Sequence, residues 1–255
     1  MTVKDQLNRT IHLSKLPKRV VSLVPSQTEL LVDLGVKGSL VGITKFCIHP
    51  KDLRKEITVV GGTKTVNYVK IQELQPDLII CNKEENTLEM VQELEKICPV
   101  WVSDIATIED SLEMIKLLGT LLNVGDEASN IVGGISSEKK KFELFMEAKP
   151  TKKAAYLIWK NPYMAAGNDT FIDALLLLNK FQNIISEKRY PEVTFRALAE
   201  ADLVLLSTEP FPFKETDVSE LKESLHGHVQ LVDGEYFSWY GSRLKAAFEY
   251  FRTLH

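Results

Sequence analysis

"TIEDSLEMIKLLGTLLNVGDEASNIVGGISSEKKKFELFMEAKP", residues 107–150, decides the architecture. Ile108, Leu112, Ile115 and Leu118 fall on one helical face. Gly125 and Asp126 then break and recap the chain, and a second helix is expected to run to about Ala148. Ile131, Ile135, Phe142, Phe145 and Met146 lie on or near one of its faces. At 1.5 Å per residue, about 23 residues span roughly 35 Å. Gly133 and Gly134 each cost about 1 kcal/mol against alanine in a helix interior. Packing rather than propensity is therefore expected to hold this helix, and Pro150 ends it. A flexible linker would be polar and rich in Gly, Ser and Pro. This connection reads as a rod.

On either side of the rod the same plan appears twice. Before it, "RVVSLVP" (19–25), "LVGIT" (40–44), "EITVVGG" (56–62), "DLIIC" (77–81) and "PVWVSD" (99–104) are short apolar runs. "SQTELLVDLG" (26–35), with Ser26 and Glu29 in capping-box spacing, and "ENTLEMVQELEK" (85–96) are helical. After it, "KAAYLIW" (153–159), "DTFIDALLLLN" (169–179), "FRALAEADLVLLS" (195–207) and "HVQLVDG" (228–234) repeat the scheme. Matching elements recur roughly 125 to 145 residues apart, a drift that fits structural duplication rather than a sequence repeat. Continuous apolar strands alternating with helices predict parallel sheets covered on both faces. The expected organisation is an α/β lobe over 1–106, connecting helices over 107–150 and a second α/β lobe over 151–255. Two Rossmann-like lobes on one rod make the cleft between them the default ligand site.

Bulk properties exclude several classes. The 255 residues carry a net charge of −4, with 44% hydrophobic and 26% charged side chains. A general basic field for nucleic acid is absent, and no apolar run approaches the roughly 18 residues of a membrane span. "MTVKDQLNRTIHLSKLPKRV" has no apolar signal-peptide core, so a mature or cytoplasmic chain is expected. Cys47, Cys81 and Cys98 lack CxxC spacing and read as small buried thiols. No GxSxG, HExxH or GxGxxG motif occurs, and "VGGTK" (60–64) fails the phosphate-loop spacing. Of the five histidines only His49 lies in a candidate site loop.

Loops at strand ends carry function in parallel sheets. Here they are "PSQT" (25–28), "KFCIHP" (45–50), "GGTKTVNY" (61–68), "KNPYMAAGND" (160–169), "SEKRYPEVT" (186–194), "STEPFPFKE" (207–215) and "GEYFSWYGSR" (234–243). Aromatic residues gather in them: Phe46, Tyr68, Tyr163, Tyr190, Phe211, Phe213, Tyr236, Phe237, Trp239 and Tyr240, with Trp159 at a strand end. Two readings stand: rings sealing the edge of a core, or flat faces walling a site for a large planar or cyclic ligand. Arg243 either stacks, pairs with an anionic ligand group or caps a loop.

In order, "RVVSLVPSQTELLVDLGVKGSLVGIT", "HP", "VVGGTKTVNYVKIQELQPDLII", "NPYMAAGNDTFIDALLLLNKFQNI", "RYPEVTFRALAEADLVLLS" and "FSWYGSR" resemble the substrate-binding proteins of ABC importers for vitamin B12 and iron–siderophores. Within this helical-backbone metal receptor group, the cobalamin-binding type is most similar. The likeness covers roughly residues 19 to 252. It implies the class III periplasmic-binding-protein fold, with two α/β lobes joined by one long helix. It also implies a corrinoid or other metal chelate held between the lobes without turnover. The protein needs no cofactor of its own, since cobalt or iron arrives with the ligand. As partners the resemblance implies the chelate and an ABC permease, as location the periplasm or cell envelope, with a cytoplasmic chain as the alternative, and as oligomeric state a monomer.

Carried onto this chain, the resemblance places Pro25, Ser26, Phe46, Thr63, Trp159, Phe237, Trp239, Tyr240 and Arg243 at the ligand, and the strand-end loops add His49, Lys64 and Tyr163 as candidates. Phe46 stands for a tyrosine that faces the corrin, and Thr63 for a tryptophan of vitamin B12-binding members. Family members dock on the permease through a glutamate on each lobe. Val69 and Arg196 occupy those positions here, with Glu73, Glu84, Glu85, Glu192 and Glu200 as nearby substitutes. Alternatives at this point are a cytoplasmic sensor or scaffold of the same fold, a two-lobed sugar-nucleotide transferase, and direct coordination of zinc or manganese. Cell fractionation, a phosphate-binding loop and metal analysis respectively discriminate them.

Overall fold

The computed structural model describes residues 1–255, which divide into two compact units. The first comprises residues 1–104, 109–135 and 240–243; the second comprises 105–108, 136–239 and 244–255.

In the first unit the chain opens with a two-stranded antiparallel ribbon, β1 (Thr2–Lys4) and β2 (Thr10–His12). It continues through β3 (Val20–Ser22), α1 (Pro25–Asp33), β4 (Leu40–Thr44), α2 (Leu53–Glu56), β5 (Thr58–Gly61), α3 (Tyr68–Glu73), β6 (Leu78–Asn82), α4 (Leu88–Glu95) and β7 (Val100–Ser103). The sheet order is β5-β4-β3-β6-β7, with every pair parallel. Strand direction explains the continuous apolar runs. Ile79, Cys81, Val100 and Val102 face Ile71 of α3 and Met90, Val91 and Leu94 of α4. Their alternates Leu78, Ile80 and Trp101 are equally buried, so both faces of the sheet are covered. Because the chain winds outward from β3 in one direction and then restarts beside it at β6, the switch point lies between the ends of β3 and β6. Ligands of open α/β sheets bind at such points.

Two longer helices follow, α5 (Ile108–Leu121) and α6 (Gly125–Met146). The expected rod is thus a 22-residue helix. Gly125–Ile135 is counted with the first unit and Ser136–Met146 with the second. Ile135, Phe142 and Met146 are buried, as the periodicity predicted, whereas Ile131 and Phe145 are half-buried.

The second unit contains β8 (Lys152–Trp159), β9 (Met164–Ala165), α7 (Phe171–Leu178), β10 (Phe181–Asn183), α8 (Phe195–Leu198), β11 (Leu203–Ser207), α9 (Glu215–Ser224), β12 (His228–Val232), α10 (Glu235–Ser238) and α11 (Leu244–Arg252). Its parallel order is β10-β8-β11-β12, with β9 antiparallel on β8. Ala155, Leu157, Val204, Leu206 and Val229 pack with Leu198 of α8 and Val218 and Leu221 of α9. Elsewhere in this unit, Phe142 of α6 meets Phe248 and Phe251 of α11, each at 5.9 Å between ring centroids.

One local reading changes. Ser26 does not cap α1: the helix starts with Pro25 in its first turn, Val24 is the N-cap, and no side chain bonds there. Proline supplies the helical φ at the first helical position, where its missing N–H would have no intrahelical partner. Gly133 is exposed, and an added Cβ would meet nothing within 4 Å. The expectation that packing holds this helix stands on its buried face of Ile135, Phe142 and Met146, while Gly133 lies on the opposite, open side.

Candidate functional site

At the switch point of the first unit, a buried polar network replaces the apolar core. Asn82, at the end of β6, donates through Nδ2 to Ser103 Oγ at the end of β7 (2.9 Å). Asn82 Oδ1 accepts from the amides of Glu84 (2.8 Å) and Glu85 (3.1 Å). Gln27 of α1 donates to Ser103 Oγ and to the Tyr240 hydroxyl (3.3 Å). Asn86 links this loop to the carbonyl of Thr63 (2.8 Å). Thr28 donates to Ser22 Oγ (2.7 Å) and, with Thr44, surrounds the Cys47 thiol. Burial pushes that thiol's pKa up, so Cys47 is an inert packing group. Burial likewise raises the Cys81 thiol above its ordinary value and pushes Cys98 up to about 12. Buried polar groups of this kind rigidify the loops they connect.

Above the network the rim residues are exposed. Phe46 is 48% exposed, with Lys45 Nζ 5.0 Å from its ring centroid. A Cβ added at Gly62 would lie 3.3 Å from Phe46 Cε2, so the ring rests against the turn after β5. Gly61 in that turn has φ +140°, and a Cβ there would strike the Thr65 carbonyl at 2.6 Å. Thr63 and His49 are half-buried, and Lys64 is exposed with its ammonium on the Glu84 carbonyl. Phe46, His49, Thr63 and Lys64 thus sit on neighbouring loops after β4 and β5. Pro25 and Ser26 do not share this exposure: both are buried in the first turn of α1.

The second unit carries its own aromatic rim. Trp159, the last residue of β8, is 41% exposed and meets Phe211 edge-on at 5.6 Å, which in turn meets Phe213 at 4.8 Å. Tyr163 is half-buried and edge-on to the exposed Phe195 at 5.5 Å. Between Trp159 and Tyr163, Lys160 bridges Asp217 (2.7 Å) and Glu220 (2.6 Å). Hydrogen bonds to these carboxylates raise the Lys160 pKa and keep it charged.

The "FSWYGSR" loop departs from expectation. Phe237 is fully buried against Tyr156 (5.0 Å) and Phe251 (4.8 Å). Trp239 is 6% exposed, and its indole Nε1 donates to Glu209 (2.9 Å). Tyr240 is equally buried, its hydroxyl among Ser26, Gln27 and Ser103, and desolvation raises its pKa. Arg243 forms a two-point pair with Glu29 (2.6 and 2.8 Å). Gly241, at φ +99°, makes the turn between them and donates its amide to Ser111 Oγ (3.0 Å). Of the two readings, core sealing is the observed one for Phe237, Trp239 and Tyr240. Of the three for Arg243, an ion pair is observed, but with the chain's own glutamate. The signal that Arg243 had an internal partner was Glu29, whose spacing from Ser26 reads instead as a capping box.

The positions aligned with docking glutamates are both exposed, Val69 on α3 and Arg196 on α8. Glu73 and Glu200, each four residues further on, are exposed too. No group of three or more His, Cys, Asp or Glu side chains is placed to hold a metal ion. No helix is long and apolar enough to cross a membrane.

Comparison with known proteins agrees with this geometry. The sequence profile described as periplasmic binding protein matches residues 20–223. An uncharacterized ABC transporter substrate-binding lipoprotein of Bacillus subtilis, YvrC, is 24% identical over 96% of this chain and 82% of its own length. A vitamin B12-binding protein of Pectobacterium carotovorum is 23% identical over 69% of this chain and 64% of its own length. The crystal structure of a periplasmic heme binding protein from Pseudomonas aeruginosa matches with a TM-score of 0.80 at 21% identity, covering 94% of this chain and 92% of that one. That structure shares the expected class III α/β fold.

Proposed function

This chain belongs to the periplasmic binding protein family, whose members are non-catalytic solute receptors, and from that premise we propose that it is the substrate-binding component of an ABC importer for a metal chelate. The chelate is of the corrinoid, haem or siderophore kind, and the favoured class is corrinoid. One observation carries the reading: each unit ends its parallel sheet in an exposed ring, Phe46 after β4 and Trp159 at the end of β8. Side chains of this size left in water at strand ends suit a large planar or cyclic partner, because aromatic faces contribute both buried area and stacking. Lys45 and Lys64 at the first rim supply positive charge for carboxylates or phosphate on the partner's periphery. The names of the relatives support an ABC importer and a place in the cell envelope. Permease docking then falls on the surfaces of α3 and α8, with Glu73 and Glu200 in place of Val69 and Arg196.

Titration with cobalamin, cobinamide, haem and a ferric siderophore tests the proposal. Trp159 is exposed, while Trp101 and Trp239 are buried, so quenching at a rim reads mainly through Trp159. Saturable quenching with a thermal shift is expected from at least one of the four. A flat response to all of them removes the chelate reading.

A further inference from the structure

We propose that Asn86 is a positioning residue that sets the height of the Phe46 rim; the inference rests on the chelate reading for its functional half. Asn86 is 3% exposed, just before the N-cap Thr87 of α4. Its carboxamide is used at both ends. Oδ1 accepts from the Asn82 amide (2.8 Å), while Nδ2 donates to the carbonyls of Thr63 (2.8 Å) and Leu23 (3.4 Å). The orientation is forced. A flipped amide would set Nδ2 against a backbone N–H and Oδ1 against two carbonyls.

One side chain therefore joins three separate loops: the one after β3 that starts α1, the one after β5, and its own after β6. The sheet order places β5 two strands away from β3, with β4 between them. β6, whose loop carries Asn86, lies beyond β3, so the β5 loop and Asn86 meet across the ends of β4 and β3. Phe46, on the β4 loop, rests against Gly62, the neighbour of Thr63. A continuous line of contacts runs from Asn86 through Thr63 and Gly62 to the exposed ring. The closest substitutes in size do not serve. Aspartate would put a negative oxygen against two carbonyls, and serine or alanine is too short to reach all three backbone groups.

The test compares wild type with Asn86→Asp and Asn86→Ala. Amide exchange is read across residues 61–65 and across β6 and β7, and affinity is read for cobinamide and haem. At pH 8 both variants are expected to exchange faster at 61–65, with β6 and β7 unchanged. Both are expected to bind the probes about five- to tenfold more weakly, the scale of one lost buried hydrogen bond. As pH falls, the carboxyl introduced by Asn86→Asp gains a proton and becomes a donor for Thr63. The deficit of that variant relative to wild type then shrinks, while that of Asn86→Ala does not. That divergence in pH profile is a readout general destabilisation does not produce. Wild-type exchange at 61–65 in both variants overturns the proposal. So does a loss that spreads into β6 and β7 and shows no recovery at low pH. If Asn86→Asp fails to fold, Asn86→Ala and Asn86→Ser decide through the local exchange pattern. Wild-type protein that binds neither probe sinks the chelate reading instead, and the exchange result still decides whether Asn86 holds the loop.

Discussion

Arg243 and Glu29 show how one pair can fix a loop. Their side chains are only 12% and 18% exposed, and the contact is two-pronged. Such Arg–carboxylate geometry is stronger than a surface ion pair, and removing one partner strands the other. Arg243→Ala is expected to lower unfolding free energy by about 1–3 kcal/mol, the scale of lost hydrogen bonds between charged groups, and a double-mutant cycle with Glu29→Ala should show favourable coupling; strictly additive losses would contradict the pairing. Glu209 is the other informative residue. Burial raises its pKa, while bonds from Ser238 and Trp239 pull it back down. A carboxyl raised in the folded state binds more protons there than in the unfolded chain. Its contribution to stability is complete below the ordinary glutamate pKa of about 4.3 and declines as pH rises through the folded value. Glu209→Gln should therefore gain melting temperature relative to wild type between pH 4 and pH 7. A gap that does not change with pH would refute this.

At the scale of the element, the helices separate propensity from packing. Gly133 sits exposed in α6 with room for a methyl group, so Gly133→Ala is expected to raise stability by about 0.5–1 kcal/mol in urea denaturation. Gly119 in α5 behaves oppositely, because a Cβ there would lie 2.4 Å from the Ala128 Cβ of α6. Gly119→Ala should destabilise, and a neutral result would mean that the two helices separate freely. Thr170 caps α7 by accepting from the Asp173 amide (3.1 Å), and Thr170→Ala should cost about 1 kcal/mol. Strands β6, β7 and β11 were legible because every residue in them is buried, which writes an unbroken apolar run into the sequence. The ribbon of β1 and β2, with its alternating exposure and three-residue strands, writes no such run into the sequence. Helix α9 is masked in the sequence by "STEPFPFKE", whose prolines signal a loop right up to its first turn.

For the whole molecule, composition and alternation were enough to read two parallel-sheet units and a long helix. The site was legible only in part. Sequence shows that aromatic residues crowd the strand ends, but not which rings turn inward. That choice depends on tertiary partners: Phe237 finds Tyr156 and Phe251, and Tyr240 finds Gln27 and Ser103, over separations that local patterning does not encode. Phe46 and Trp159 find no such enclosure and stay exposed. A receptor built this way should lose affinity when either ring is trimmed while keeping its fold. The most direct measurement is calorimetric titration of cobinamide and haem into wild type, Phe46→Ala and Trp159→Ala. Saturable binding at micromolar Kd or tighter, weakened about tenfold or more by either substitution, is the predicted result; no heat with either probe, or affinities indifferent to both rings, would contradict it.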